Sequence, residues 1–208
     1  MTFAMLTQLR RDQSGLAAVE FALSMPILIP LIMMGAEVSN MAFTTQKLAD
    51  LATQTADNIS RYTPAITEAQ ISDTFEGMKL MTDSIDFRNR GRIIVSSVMP
   101  IVASNGTITD QQIRWQRCSG KLSVTSSYGA SGASLGTTGM GPTGRKVAAL
   151  SNAELIFVEV RYTYKPLISS AFMGTPTLSA LSSVVVRDRS DNVPTTGGTV
   201  SSCSTYAA

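Results

Sequence analysis

The feature that most limits what this chain can become is an uncharged run from Phe21 to Ala36, with Glu20 before it and Arg10-Arg11 further back. Counted from Leu16, the run reaches the ~20 residues needed to cross ~30 Å of hydrocarbon. A core helix of a soluble protein would be shorter and less uniformly apolar. The next cation after Arg11 is Lys47. The positive-inside rule therefore predicts a cytoplasmic N-terminus and an exported remainder. Glu20 is the anomaly. A charge in a spanning helix costs roughly 2.5–3.5 kcal/mol at the bilayer centre and less near the interface, which marks Glu20 as a candidate functional residue. The plainer alternative is a first-turn carboxylate that complements the helix dipole.

Pro26 and Pro30 interrupt the apolar run, and each removes a helix hydrogen bond and crowds the carbonyl four residues back. They predict a helix that is softened in its middle, with Ser24 able to serve a freed carbonyl locally. Beyond the run, Glu37, Asn40, Thr44, Lys47 and Asp50 are polar, while Met41, Leu48, Leu51, Ala52, Thr55 and Ile59 recur at helical steps. The pattern predicts one helix from about Leu16 to about Arg61, stopped by Thr63-Pro64. Only residues 16–38 or so would lie in the membrane, so the outer half must pack on its own domain or on partner helices.

Composition narrows the function classes. The 208 residues include no histidine, and the formal net charge is +2. A nucleic-acid partner is not expected at so small a charge. The commonest general base and metal ligand is missing, so neither a catalytic residue nor a metal or other cofactor is expected. Serines are plentiful, but there is no Gly-x-Ser-x-Gly elbow. The segment Gly139-Met-Gly-Pro-Thr-Gly-Arg-Lys146 lacks the spacing of a phosphate-binding loop.

The stretch Gly15-Leu16-Ala17-Ala18-Val19-Glu20-Phe21 resembles the processing site of type IV prepilins, and Glu20-Phe21 in particular resembles the TadE/TadF-like minor pseudopilins of the tight-adherence (Tad) branch. The run Val158-Glu-Val-Arg-Tyr-Thr-Tyr-Lys-Pro-Leu167 is similar, more loosely, to a segment of the same family. The resemblance implies that a prepilin peptidase cuts between Gly15 and Leu16 and removes a leader at 1–15. Glycine lets an extended backbone enter a narrow cleft. It also implies that Glu20, one turn from the new amino group, pairs with the N-terminal amine of a neighbouring subunit. Phe21 would pack beside it. Two other readings of the N-terminus remain: a secretory signal cut near Met34-Gly35-Ala36, and an ordinary signal anchor.

Residues 63–208 read as an exported α+β domain. Thr67 is a plausible cap for an amphipathic helix from Glu68 to Met81, with Ile71, Phe75, Met78 and Leu80 facing a core. Strands are predicted at Gly91–Met99, at Thr107–Arg117 after a Ser104-Asn105-Gly106 turn, at Glu154–Tyr164 and, as the last, at Ser179–Arg187. Ile156, Val158, Val160, Tyr162 and Tyr164 share one face of their strand. The segment 126–144 is rich in Gly, Ser and Thr and reads as a flexible surface loop. Cys118 and Cys203 are expected to pair in an oxidising compartment and to pin the tail Ser190–Ala208 to the hairpin.

The expected architecture is a long N-terminal, pilin-like helix packed on an antiparallel sheet. The expected work is assembly of a Tad-type pilus used in surface adherence, from the bacterial inner membrane, with the domain in the periplasm or carried into the fibre. The resemblance implies a prepilin peptidase, other pilins and pseudopilins, the inner-membrane platform and membrane lipid as partners. The competing reading is a single-pass envelope protein with a binding module. TadE-like and TadF-like roles are not separated by one chain.

Overall fold

The computed structural model describes residues 15–187, 189 and 191–206. Residues 1–14, with Arg10 and Arg11 and all of the expected leader but Gly15, lie outside the described residues. A helix, α1 (Leu16–Arg61), runs unbroken for 46 residues through both Pro26 and Pro30. At 1.5 Å per residue it is about 69 Å long. Ser24 Oγ donates to the Phe21 carbonyl at 2.7 Å. The carbonyl that Pro26 frees belongs to Ala22, so the local rescue expected of Ser24 goes to a different oxygen.

The outer half of α1 carries the seam to the domain. Leu48, Leu51, Ala52, Thr55, Ala56 and Ile59 are buried, and Met41 packs at their edge. The stripe is wider than the apolar pattern alone, since Thr44 and Glu37 are also buried. Thr44 and Thr55 lie there with their hydroxyls satisfied, because each donates to a carbonyl one turn back, Asn40 and Leu51, at 2.8 and 2.7 Å. The last turn of α1 is closed from outside: the Arg189 guanidinium donates to the carbonyls of Ile59 and Tyr62, and the Arg187 amide donates to Ser60. A cation at a helix C-terminus also opposes the negative end of its dipole.

After the turn at Thr63-Pro64, a short strand β1 (Ala65–Thr67) leads into α2 (Glu68–Met81). Thr67 caps α2 in a reciprocal capping box with Gln70. Ile71, Phe75 and Met78 are buried as the pattern predicts. Leu80 is 67% exposed, contrary to expectation. It sits about 200° around the helix from Met78, on the opposite face.

A single 3-10 turn (Asp83–Ile85) and α3 (Phe87–Arg90) precede the sheet. Its strands are β2 (Gly91–Val102), β3 (Ile108–Ser119), β4 (Leu155–Thr163) and β5 (Thr177–Val185), in the order β3-β2-β4-β5 and antiparallel throughout. The hairpin between β2 and β3 turns at Gly106, whose φ of 83° suits glycine. A helical turn, α4 (Ser170–Met173), lies between β4 and β5. The last strand is β6 (Asp191–Thr195), which pairs parallel with β1. The expectation that the Ser179–Arg187 strand ends the fold is therefore corrected. β1 has three residues and β6 contains a proline, so neither shows the alternation that marks a strand in sequence.

The sheet has two buried faces. Ile156, Val158, Val160 and Tyr162 of β4, with Tyr164 just beyond it, join Leu48, Leu51, Ile59 and Phe75 in the main core between sheet, α1 and α2. Leu155 and Phe157 face a second, smaller core with Val98, Ile113, Met140 and Ala149. Segment 126–144 lies over that second face. Its backbone bonds to β3 through Gly132 to Ile113 at 2.7 Å and Leu135 to Gln111 at 2.7 Å. Tyr128 packs edge-on against Phe157, with ring centroids 5.4 Å apart.

Candidate assembly helix

Leu16 to Ala36 form the N-terminal half of α1. None of these residues is buried, and Leu23, Ile27, Leu31 and Ile32 are each about two-thirds exposed or more. The stretch is about 21 residues, or roughly 31 Å, which equals the hydrocarbon thickness of a bilayer. A core helix would be mostly buried, and here the most apolar window is wholly bare. By length and composition α1 can cross a membrane.

The candidate processing and assembly residues sit at the free end. Gly15 immediately precedes α1 and offers no side-chain cap. Leu16, Glu20 and Phe21 are exposed. Leu16 and Glu20 are four residues apart and share a helix face. The Glu20 carboxylate has no hydrogen bond or ion pair among the described residues. Pro26 and Pro30 lie within the bare stretch and are exposed. Cys118 and Cys203 are joined by a disulfide on the far edge of the sheet, away from this helix.

Where the bare stretch ends, the helix is latched to the domain through a residue that the sequence pattern places on the solvent side. Glu37 is fully buried. Its carboxylate accepts from the Tyr164 hydroxyl at 2.7 Å, from the Leu167 amide at 3.1 Å and from the Ile168 amide at 3.0 Å. Asn40, one turn further along, donates to the same Tyr164 oxygen at 2.7 Å. Burial, and next the Glu37 carboxylate beside it, push the Tyr164 phenol above its usual range, so it stays a donor. The arrangement has one acid facing three donors, so no lone pair needed for the latch is wasted on solvent.

Glu37 is the functional residue that periodicity misses. A usable signal exists: a lone carboxylate at the foot of the apolar run, and a tyrosine ending an alternating strand. Glu37→Gln is expected to weaken the latch and Glu37→Ala to open it, because alanine leaves two amides without their acceptor and the Tyr164 hydroxyl with only the carbonyl of residue 37, at 3.4 Å. Amide hydrogen exchange at Leu167 and Ile168 measures this, rising in the order parent, Gln, Ala. Unchanged protection in the alanine variant would show that the latch carries no load.

Among the described residues, no group of three or more metal-binding side chains converges. The fold and site together describe a class: proteins whose long N-terminal helix is first a bare apolar stretch of membrane length and then the spine of an α+β head. Within that class, residues 15–57 match the family model described as TadE-like protein. The match starts at Gly15 and runs along α1 as far as Asp57, over most of the buried seam. The match is confined to this helix and ends well before the Val158–Leu167 segment. No curated protein and no solved structure matches the chain.

Proposed function

We propose that this chain is a minor pseudopilin that helps assemble a Tad-type pilus for surface adherence and performs no catalysis. The observation that carries the reading is that two boundaries coincide and a third follows one membrane thickness later. The TadE-like match and α1 both begin at Gly15-Leu16, and the bare stretch ends after one membrane thickness. A prepilin peptidase would cut between Gly15 and Leu16. The freed amine and Glu20 would then lie one turn apart on one face. Pairing Glu20 with the amine of a neighbouring subunit costs far less in an apolar bundle than burying either charge alone. Phe21 and the small residues Ala17 and Ala18 would let helices approach closely. Pro26 and Pro30 would let the bare stretch bend as it moves from bilayer to bundle.

The head would stay on the periplasmic side of the inner membrane or travel with the fibre. Its size argues for an initiating, capping or regulating subunit rather than the bulk fibre component. The assembly platform, other pilins and membrane lipid are its partners in this reading. A signal-peptidase cut after Ala36 fits less well. That bond lies inside an unbroken helix, immediately before Glu37.

Intact-mass measurement of the membrane-extracted protein tests the proposal. The parent is expected to begin at Leu16, and Gly15→Val is expected to keep its leader. Glu20→Ala is expected to be cut normally yet to be lost from the assembled fibre. A parent protein that retains its leader in cells with an active prepilin peptidase contradicts the reading.

A further inference from the structure

The loop from Lys165 to Gly174 is carried at the foot of the domain, where α1 leaves it. Its position is set by Glu37, which holds the amides of Leu167 and Ile168 within 3.1 Å of its carboxylate. Residue 37 is the first buried position after the bare stretch. The loop backbone is thus within hydrogen-bond reach of the helix at the level where a membrane-length segment ends. Leu167 is nevertheless 64% exposed and Ile168 37% exposed.

We propose that this loop is a second membrane contact, dipping Leu167 and Ile168 into the lipid headgroup layer beside the helix. The inference rests on the reading of residues 16–36 as the membrane span. Three observations support a lipid surface over a protein partner. The sequence Lys165-Pro-Leu-Ile-Ser-Ser-Ala-Phe-Met-Gly174 holds one cation, four large apolar residues and no carboxylate. That is the composition of an interfacial segment, with Lys165 exposed to meet lipid phosphates. Three of the loop's amides also have acceptors within the chain. The Leu167 and Ile168 amides are taken by Glu37, and Gly174 donates to Ser170 at 2.8 Å. Backbone entering an apolar layer must be satisfied in this way. Finally, the geometry is set within one chain, so the contact forms whenever the helix is inserted, whether or not a partner is present.

The consequence is orientation. One helix allows the head to swing about the membrane normal. A second apolar contact set off to the side of the helix holds the sheet, and with it Glu37, at one tilt to the bilayer.

Tryptophan quenching in vesicles tests the contact. The full chain is reconstituted in mixed zwitterionic and anionic phospholipid brominated either near the carbonyls or near the chain ends. The probes are Leu167→Trp, Ile29→Trp within the bare stretch and Ile101→Trp at the distal hairpin, each read against the parent, which has one tryptophan. Leu167→Trp is expected to lose most of its added emission to the shallow bromines and little to the deep ones. Lys165→Glu is expected to reduce that loss, and Ile101→Trp is expected to be unaffected. If Ile29→Trp is quenched and Leu167→Trp is not, the second contact does not exist while the anchor stands. A blue-shifted but unquenched Leu167→Trp signal means that protein covers the loop, which also overturns the proposal. If Ile29→Trp escapes quenching, the span itself is wrong, and the inference falls with it.

Discussion

Serine at both Cys118 and Cys203 is expected to cost the α+β domain about 4–5 kcal/mol. The bridge spans 85 residues of sequence, and opening so long a loop returns much conformational freedom to the unfolded chain. The folded state is also built around the tail that the bridge holds. Arg92, 1% exposed, donates to the carbonyls of Gly120, Cys203 and Thr205 at 3.0, 2.8 and 3.2 Å. Its guanidinium also lies 4.2 Å from the centre of the Tyr206 ring. Ser201 accepts from the Cys118 amide at 2.9 Å, and Asn192 from the Trp115 indole at 2.7 Å. If the tail detaches, a buried cation keeps one of three acceptors. Urea denaturation of the detergent-solubilised chain measures the change. Arg92→Leu combined with the serine pair is expected to cost less than the two changes added separately, because both act through the same tail. A change below about 1 kcal/mol would show that the tail holds without its covalent tie.

Glu68→Ala is expected to cost about 3 kcal/mol, the low end for breaking a buried ion pair. Glu68 opens α2 and is 4% exposed. Arg117 of β3 grips both carboxylate oxygens, with Nε 2.8 Å from Oε2 and 3.1 Å from Oε1, and Nη2 on Oε1 as well. The pair joins α2 to the outer strand of the sheet and sits one residue from the disulfide. With alanine at 68, the guanidinium keeps only the Gln116 carbonyl as a hydrogen-bond acceptor and the Trp115 ring as a neighbour. The companion double change, Glu68→Leu with Arg117→Met, is expected to recover most of the loss, because well-packed apolar groups avoid the desolvation that the charges incur. The same urea midpoint reads both. A double variant as weak as Glu68→Ala would mean that the site needs the charges for more than stability.

The elements with strong local signals are legible in the order of residues alone. α1 ends where Thr63-Pro64 predicts, and α2 starts where Thr67 predicts. The alternating face of β4 is the one that meets the helix. These come from periodicity and capping, which are properties of neighbouring residues. Leu80 is exposed because, two residues past Met78, it lies on the opposite flank of α2 from the buried stripe. β6 and β1 leave no signal because their pairing joins residues more than a hundred positions apart, and neither has a pattern of its own.

The candidate site divides in the same way. Gly15, Leu16, Glu20 and Phe21 stand out by order along the chain, since the proposed cut site and a bare apolar helix need no tertiary partner to be recognised. Glu37 does not. It meets its donors across 127 to 131 residues, and a carboxylate in an outward-reading position is buried only because Tyr164, Leu167 and Ile168 arrive with donors to satisfy it. Local chemistry dictates a membrane-length helix with an acid near its start. Where that helix is gripped, how the tail is tied down and which loop meets the bilayer surface follow from long-range packing, because a buried polar group is stable only in the company the whole fold assembles around it.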